Sequence, residues 1–397
     1  MFDPIIADWL GLLLRWAHVM AGIAWIGTSF YFIWLDAVLR DSGRTKEGVA
    51  GESWLVHGGG FYRVDKFTIA PAALPEELHW FKYEAYFTWL SGFLLLAVIY
   101  YWGAEAFLID RSVVDLSPGL AIAVSVGSLA VGWIAYDLLC RSPLGAHTAI
   151  LAVAVFLLIL GAAVAYDHLF SGRAAFLHVG ALVGTLMAAN VFFVIIPNQK
   201  KTVAALLAGR APDPKPGAQA KQRSLHNNYL TLPVVLMMVS NHYPLLYGDG
   251  RGPVMAAGIV VVGALIRHFF NLRNSGRKDW SRPLLIPAAA LVVVGLLVAS
   301  SLSSRDDGVT GAAPSREEVE LVIRQRCMSC HAAKPTDENF EAAPAGLAFD
   351  KDGAIRANAQ RIYAQTVLSD AMPLGNVTQM TAEERALVGR WVRAGAP

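Results

Sequence analysis

Long apolar stretches constrain this chain more than any other feature. Hydrophobic residues make up 55% of the 397 residues and charged residues 16%, a balance outside the range of ordinary soluble domains. Eight runs come close to or exceed the roughly 20 residues that a helix needs to cross a bilayer. They lie at Leu10–Leu35, Tyr86–Trp102, Leu120–Leu139, Thr148–Tyr166, Ala174–Pro197, Tyr229–Tyr247, Val254–Phe270 and Leu284–Leu302. The sequence therefore predicts an all-α, polytopic membrane bundle of about eight helices over residues 1–302.

Positive charge in the connecting loops predicts the orientation of this bundle. Loops after the odd-numbered runs carry most of the basic residues, whereas loops after runs 2, 4 and 6 carry only Arg111, Arg173 and Arg251. Because basic loops stay in the cytoplasm, both termini are expected outside it. No cleavable signal peptide is evident, since the start lacks a positive n-region. In a bacterium the chain would lie in the inner membrane with both termini in the periplasm.

A short motif near the far end carries chemistry of a different kind. Cys327-Met328-Ser329-Cys330-His331 has the C-x-x-C-H pattern by which haem c is attached covalently. The two thiols add to the haem vinyl groups, and His331 is placed to bind the iron. A zinc site would need further Cys or His residues nearby, and this segment has none. Covalent attachment in bacteria takes place on the outer face, in agreement with the charge argument.

The second axial ligand is expected downstream of this motif. Methionine is the usual partner of histidine in electron-transfer cytochromes c. Met328 lies inside the attachment loop and cannot reach the opposite face of the haem. Met372 is favoured over Met380, because Pro373 fixes the turn that follows it. Both methionines could instead fill the core.

The residues around the motif predict a small separate domain. Residues 303–313 are polar and are interpreted as a linker, and residues 314–397 as a class I-like cytochrome c domain. Ser315 with Glu318, and Thr381 with Glu384, have the spacing of helix-capping boxes. The domain carries 10 Lys+Arg against 11 Asp+Glu, so nothing indicates nucleic-acid binding.

The long loop between the first two runs is the candidate for a substrate site. It contains His57-Gly58-Gly59-Gly60-Phe61-Tyr62-Arg63 and later His79-Trp80-Phe81-Lys82-Tyr83-Glu84. Consecutive glycines let the backbone approach a ligand closely, and long ordered loops are often functional. The pattern favours a flat polar ligand held by five residues: His57, Tyr62, Arg63, Lys82 and Glu84. The alternative is an amphipathic segment at the membrane interface.

Histidines within or beside the runs are candidates for a second cofactor. Ionisable residues inside a membrane are costly, and they often mark functional sites. His18, His178 and His242 map toward the outer side, and His268 toward the cytoplasmic side. Pairs on facing helices could bind haem b and carry electrons across the membrane. Hydrogen bonding within the bundle is the competing interpretation for each of them.

These segments together resemble a known family. The resemblance is carried by six segments, which are Trp16–Val19, Trp25–Tyr31, Val56–Tyr62, His79–Ala85, Cys327–His331 and Ala371–Asn376. The order is similar to that of bacterial membrane-bound urate oxidases (urate hydroxylases), in which a membrane domain of eight spans is fused to a cytochrome c. The resemblance covers nearly the whole chain.

The resemblance implies an activity that composition and spacing do not show. Members oxidise urate to 5-hydroxyisourate in purine degradation and pass the electrons to the respiratory chain. Urate would bind on the cytoplasmic side against the long loop, with His57 or Glu84 as general base. An outer site near His18 and His242 stays open. The electron acceptor is expected to be a soluble cytochrome c or a terminal oxidase, and the oligomeric state is not fixed.

Two other classes of function remain at this point. One is a quinol-oxidising or transport module that exports electrons through its cytochrome. The other is a membrane anchor for a cytochrome c shuttle, without enzymatic activity. The polar, glycine-rich loop between the first two runs favours an enzyme over an anchor.

Overall fold

The computed structural model describes residues 4–41, 43, 48–67, 74–276, 278–303, 312–369 and 371–397. Most of them are helical. The elements in chain order are α1 (Pro4–Val38), β1 (Val49–His57), β2 (Gly60–Phe67), α2 (Tyr83–Leu96), α3 (Ala104–Phe107), α4 (Pro118–Arg141), α5 (Thr148–Asp167), α6 (Gly172–Ala189), α7 (Ile196–Leu207), α8 (Pro214–Val239), α9 (Gly252–Ser275), α10 (Arg282–Ser303), α11 (Arg316–Arg326), α12 (Ala354–Ala357), α13 (Ala359–Thr366) and α14 (Ala382–Arg393).

Within the described residues, seven helices are long and apolar enough to cross a membrane, which indicates a membrane protein. They coincide with every predicted run except the sixth. Two contain π-helical turns, a feature often found at functional sites. Helix α2 continues through Ala97–Tyr101, and Asn190–Ile195 joins α6 to α7 in one helix, Gly172–Leu207.

The sixth predicted run, Tyr229–Tyr247, is wrong as drawn. Helix α8 begins fifteen residues earlier, at Pro214, and ends at Val239, where short 3₁₀ turns follow. Its 26 residues are long enough to cross a bilayer, but its first half is too polar to qualify as an apolar span. Packing against α6, α7 and α9 makes it part of the bundle all the same.

Several polar side chains near the middle of α8 are buried, and they find partners on neighbouring helices. Arg223, 3% exposed, pairs with Asp137 of α4 at 2.7 Å. Asn227 accepts a hydrogen bond from the Asn190 side chain at 2.9 Å. Buried polar groups are tolerated when they are paired in this way. These contacts explain why hydropathy alone misplaces this helix.

The long loop after α1 departs from the predicted all-α class. Its glycine-rich part is an antiparallel β-hairpin in which His57 pairs with Gly60. Gly58 and Gly59 form the two-residue turn with φ values of 57° and 79°. This left-handed backbone suits glycine and matches the twist of a hairpin. The turn itself therefore accounts for the glycines that the sequence suggested would approach a ligand.

The C-terminal region, residues 312–369 and 371–397, has its own apolar core around Val319, Ile323, Val388 and Trp391. Both predicted capping boxes are confirmed: Ser315 and Glu318 cap α11, and Thr381 and Glu384 cap α14. The predicted linker lies almost entirely in residues 304–311, outside the described part of the chain.

The C-terminal region rests on one end of the helical bundle, which we call the docked end. This end consists of the segments 104–110, 167–173 and 247–251, which follow α2, α5 and α8. The 3₁₀ turn Leu374–Asn376 contacts α3, and Arg251 donates a hydrogen bond to Leu368 O at 2.8 Å. At the opposite end, Arg40 donates to the O atom of Ser275, the last residue of α9, at 2.9 Å. The three loops that carry few basic residues thus share an end with the C-terminal region.

Candidate functional site

The Cys-Met-Ser-Cys-His motif forms a tight turn at the end of α11. Cys327 caps the helix by donating its N–H to Ile323 O at 2.9 Å. The N–H groups of Cys330 and His331 both donate to Cys327 O, at 3.3 and 2.8 Å. Both cysteines are free thiols, as thioether attachment requires. The turn therefore presents two thiols and an imidazole from five consecutive residues.

The His331 ring is oriented by a backbone carbonyl. Its Nδ1–H donates to Leu347 O at 2.9 Å, and its ring lies 5.1 Å from that of Phe349. Phe349 N in turn donates to His331 O at 2.8 Å. A histidine that binds a metal usually donates its other ring N–H to such a carbonyl or carboxylate. This arrangement leaves Nε2 available to iron, so the motif fits haem c.

The two candidate methionines have different surroundings. Met372 is half-buried, and its backbone is held by Gln365 O and by Arg385, which donates to Met372 O at 2.8 Å. Met380 is 3% exposed and belongs to the apolar core. Core packing thus accounts for Met380, whereas Met372 stays the predicted ligand.

Close backbone contacts join the C-terminal region to the docked end. A Cβ atom at Gly248 would lie 2.3 Å from the Cα of Ser369. One at Gly375 would lie 2.5 Å from Ile109 O. Only glycine permits approaches this close. Arg251, 8% exposed, adds hydrogen bonds to Gly248 O and Ser300 O beside its bond to Leu368 O.

A cavity of about 430 Å³ opens at this contact, and we call it the junction cavity. Its walls come from Phe107, Phe170, Arg173 and Tyr247 of the docked end, and from the segment 371–385 of the C-terminal region. The volume lies within the range typical of small-molecule sites. Burial raises the pKa of Tyr247 to about 12, so its phenol stays protonated at neutral pH.

The predicted substrate residues divide between two separate places. His57 is exposed at the hairpin turn and Tyr62 is 53% exposed on β2. Arg63 is neutralised by Glu52 at 2.7 Å and Asp65 at 2.8 Å.

The other two members of the predicted set lie at the start of α2. The ammonium of Lys82 lies 4.8 Å from the centre of the Tyr83 ring. Glu84 is half-buried in the first turn of α2. Among the described residues, no contact joins Lys82 or Glu84 to the hairpin. The catalytic role of these five residues stays a prediction.

The predicted haem b histidines differ in how their ring nitrogens are engaged. His178 is fully buried, and both of its ring nitrogens are engaged, Nδ1 by Ala174 O at 2.7 Å and Nε2 by Ser125 Oγ at 2.6 Å. It therefore does not fit an iron ligand.

The remaining three histidines have different surroundings. His18 donates to Thr88 O at 2.9 Å, and His268 bonds the Tyr229 hydroxyl at 2.7 Å. His242 is exposed in the 3₁₀ turn after α8. Each could still offer one ring nitrogen to a ligand, so haem b stays a prediction, and we assign it no step.

Comparison with protein-family models gives one match. The model described as urate oxidase N-terminal matches residues 4–300, three quarters of the chain. The chain belongs to the urate oxidase N-terminal family. This membership confirms the family suggested by the sequence and supports an oxidoreductase. No curated protein and no solved structure matches the chain.

The family match ends just before the C-terminal region, so the docked end belongs to the urate oxidase region. The sequence identifies Arg173 only as one of three basic residues in the loops of low charge, and it predicts no role for Arg173 in a site. The structure gives these three arginines different surroundings. Arg111 forms exposed ion pairs with Glu105 and Asp115, Arg251 bridges to Leu368, and Arg173 lines the cavity. Tyr247 and Asp167, which also line it, were not predicted at all.

Proposed function

We propose that the chain is a membrane-bound urate oxidase that converts urate to 5-hydroxyisourate and passes the electrons through covalently bound haem c to a respiratory chain. The observation that carries the proposal is the docking of the Cys-x-x-Cys-His region on one end of the urate oxidase region. Cys327 and Cys330 would hold the haem, with His331 and Met372 as axial ligands. The haem would supply a one-electron acceptor.

The reaction balances without hydrogen peroxide. Urate and water give 5-hydroxyisourate, two protons and two electrons, as a C5–O bond forms and N–H and O–H bonds break. A haem held by Cys327, Cys330, His331 and Met372 would take up these electrons one at a time. The external acceptor would be a soluble cytochrome c or a terminal oxidase. Residues of the chain must therefore bind the purine, accept protons and bring the substrate near the acceptor.

The proposed location is the inner membrane of a bacterium, with the N-terminus and the C-terminal region in the periplasm. Basic loops support this orientation. The contacts of the docked end agree with it, because the segments after α2, α5 and α8 meet the C-terminal region. Arg40 lies beside Ser275 at the opposite end, where the basic loops gather.

The test is an anaerobic visible spectrum of the purified full-length protein before and after addition of urate, with a pyridine haemochrome assay. We expect urate to reduce a c-type band. Simultaneous reduction of a b-type band would add a second haem to the scheme. If dithionite reduces the haem and urate does not, the proposal fails. Reduction by a quinol that a quinone analogue blocks would then favour a quinol-oxidising module.

A further inference from the structure

The junction cavity lies where a substrate of the urate oxidase region would meet the C-terminal region. Its walls include Phe107 and Phe170 from the bundle, and Leu374 and Asn376 from the loop that follows Met372. A ligand in this space would touch both parts of the chain at once. It would need no relay through the bundle to reach the region that carries Cys327 and Cys330.

Arg173 adds a positive charge to the wall of the cavity. The side chain is half-buried, and its Nε donates to Asn241 Oδ1 at 3.4 Å. Its guanidinium carbon lies 5.8 Å from the centre of the Phe107 ring. In the described part of the chain, no carboxylate lies within ion-pair distance of it. By contrast, Arg63 and Arg111 each have two acidic partners.

Asn241 fixes the direction of this guanidinium. Its side-chain oxygen also accepts a hydrogen bond from the Tyr100 hydroxyl at 3.2 Å. Arg173 thus uses its Nε on Asn241 and also forms a side-chain hydrogen bond with Tyr100. A guanidinium has five N–H donors, so it can still offer donors to a ligand. A planar fork of donors suits two adjacent acceptors on a flat anion.

Among the described residues, two carboxylates line the cavity, and only one of them accepts local hydrogen bonds. Asp110 accepts hydrogen bonds from the N–H and the hydroxyl of Ser112. Asp167 is half-buried at the end of α5, and no hydrogen bond to it falls within the described residues. A carboxylate accepts hydrogen bonds from ring N–H groups and can take up a proton. The cavity therefore combines a cation, a proton acceptor and aromatic walls.

These features match one ligand class. We infer that the junction cavity is the binding site for the urate anion, with Arg173 holding its charge and Asp167 its N–H edge; this inference rests on the proposed function. Aromatic side chains beside a planar ring add stacking. Of the two protons released, Asp167 accepts the one from the ring N–H, and the other goes to water as the C5–O bond forms. The two electrons would be accepted by the haem c of the proposed function.

Direct urate binding to the full-length holoprotein tests this site without turnover. With the haem reduced by dithionite under anaerobic conditions, urate cannot be oxidised, and calorimetric titration reports binding alone. We expect Arg173→Gln to weaken urate binding about 10- to 100-fold, the range for a lost charge-assisted hydrogen bond. Arg173→Lys should bind urate with an affinity between those of the unsubstituted protein and Arg173→Gln, because lysine keeps the positive charge but lacks the planar pair of donors. The matched control Arg111→Gln should bind as the unsubstituted protein does.

The outcomes separate this inference from the proposed function. If urate reduces the haem of the unsubstituted protein but binds Arg173→Gln equally well, the cavity is not the site and the proposed function stands. If urate neither binds to nor reduces the unsubstituted protein, the proposed function fails.

A second variant covers the case in which Arg173→Gln does not fold. Val113 lines the cavity and is 43% exposed, so the larger side chain of Val113→Trp can be accommodated while it fills the space. We expect weaker urate binding with a normal dithionite-reduced spectrum. Unchanged binding by this variant would overturn the inference.

Discussion

The residues that would bind haem c are the part of the site that sequence reasoning predicts best. The motif needs only five consecutive residues, and its chemistry follows from their types and spacing. The hydrogen bond from His331 to Leu347 O could not be predicted, because it joins positions 16 residues apart through an irregular loop. The choice between Met372 and Met380 also depends on tertiary packing, which buries Met380 in the core.

The first prediction tests whether Met372 or Met380 is the axial ligand. Met372→Leu should remove the axial thioether, abolish the methionine-to-iron charge-transfer band of the oxidised protein and lower the reduction potential, because methionine ligation raises it. The matched control is Met380→Leu, a swap of similar volume that should cost less than about 1.5 kcal/mol of stability and keep the band. Visible spectra and redox titration of the full-length protein measure both. A lost band in Met380→Leu alone would reverse the assignment.

The arginines show the limit of sequence reasoning at this scale. Charge counting places Arg111, Arg173 and Arg251 on one side of the membrane, since it needs only positions along the chain. Their separate roles depend on neighbours that lie far away in sequence, such as Asn241 for Arg173 and Leu368 for Arg251. No local pattern identifies such partners.

At the scale of elements, the glycine-rich hairpin changes the interpretation of the loop after α1. Two glycines with positive φ explain the sequence His57-Gly58-Gly59-Gly60 as turn chemistry. The alternation of residues on both sides of these glycines is the sequence signal that indicates two paired strands. The hairpin leaves Trp54, Val56 and Phe61 exposed by 63%, 67% and 77%. Exposed apolar and aromatic side chains suit a membrane interface, which was the alternative for this segment.

A urate site at the loop after α1 and a urate site at the junction cavity predict opposite effects of the same substitutions. His57→Ala and Glu84→Gln should leave urate binding and urate-driven haem reduction unchanged, because neither residue lines the cavity. Stopped-flow spectra under anaerobic conditions measure the reduction rate. A large loss in either variant, with an intact haem spectrum, would restore the cytoplasmic site and the need for a transmembrane relay.

Helices α11 and α14 are tied together by one carboxylate. Glu384 accepts the N–H of Thr381 in the capping box, and it pairs with Arg326 at 2.9 Å. Partial burial would raise the pKa of Glu384, but the hydrogen bonds from Arg326 and the Thr381 N–H outweigh it and hold the pKa below the ordinary 4.5. This stabilisation is fully present above pH 4.5 and is lost as the pH falls through the lowered pKa.

Glu384→Gln should therefore destabilise the C-terminal region at neutral pH by about 1 kcal/mol, since glutamine keeps the cap but not the charge. The difference from the unsubstituted protein should shrink as the pH falls below 4.5, where that protein loses its own charge. Thermal unfolding of the full-length protein, followed by haem absorbance, measures this. The exposed Glu341→Gln serves as control, and a difference that persists in acid would contradict the linkage.

At the scale of the whole molecule, long apolar runs predict helices well because a bilayer leaves few other structures possible. Hydropathy does not predict helix α8, because its first half is polar and its buried Arg223 and Asn227 pair with Asp137 and Asn190 of other helices. Hydropathy does not predict the docking of the C-terminal region either. That contact depends on single glycines, and nothing near Gly248 in the sequence points to Ser369.

The last prediction concerns this contact. Gly248→Ala would place a Cβ 2.3 Å from the Cα of Ser369, so the C-terminal region must move away from the bundle. We expect urate-driven haem reduction to slow severalfold while dithionite reduction and the visible spectrum stay normal, because haem attachment does not involve this contact. Hydrogen exchange should rise in residues 367–376. Gly119→Ala, where a Cβ meets nothing within 4 Å, is the control. Unchanged reduction together with unchanged exchange in Gly248→Ala would mean that the docked contact carries no electrons, and the substrate would then have to reach the haem by another route.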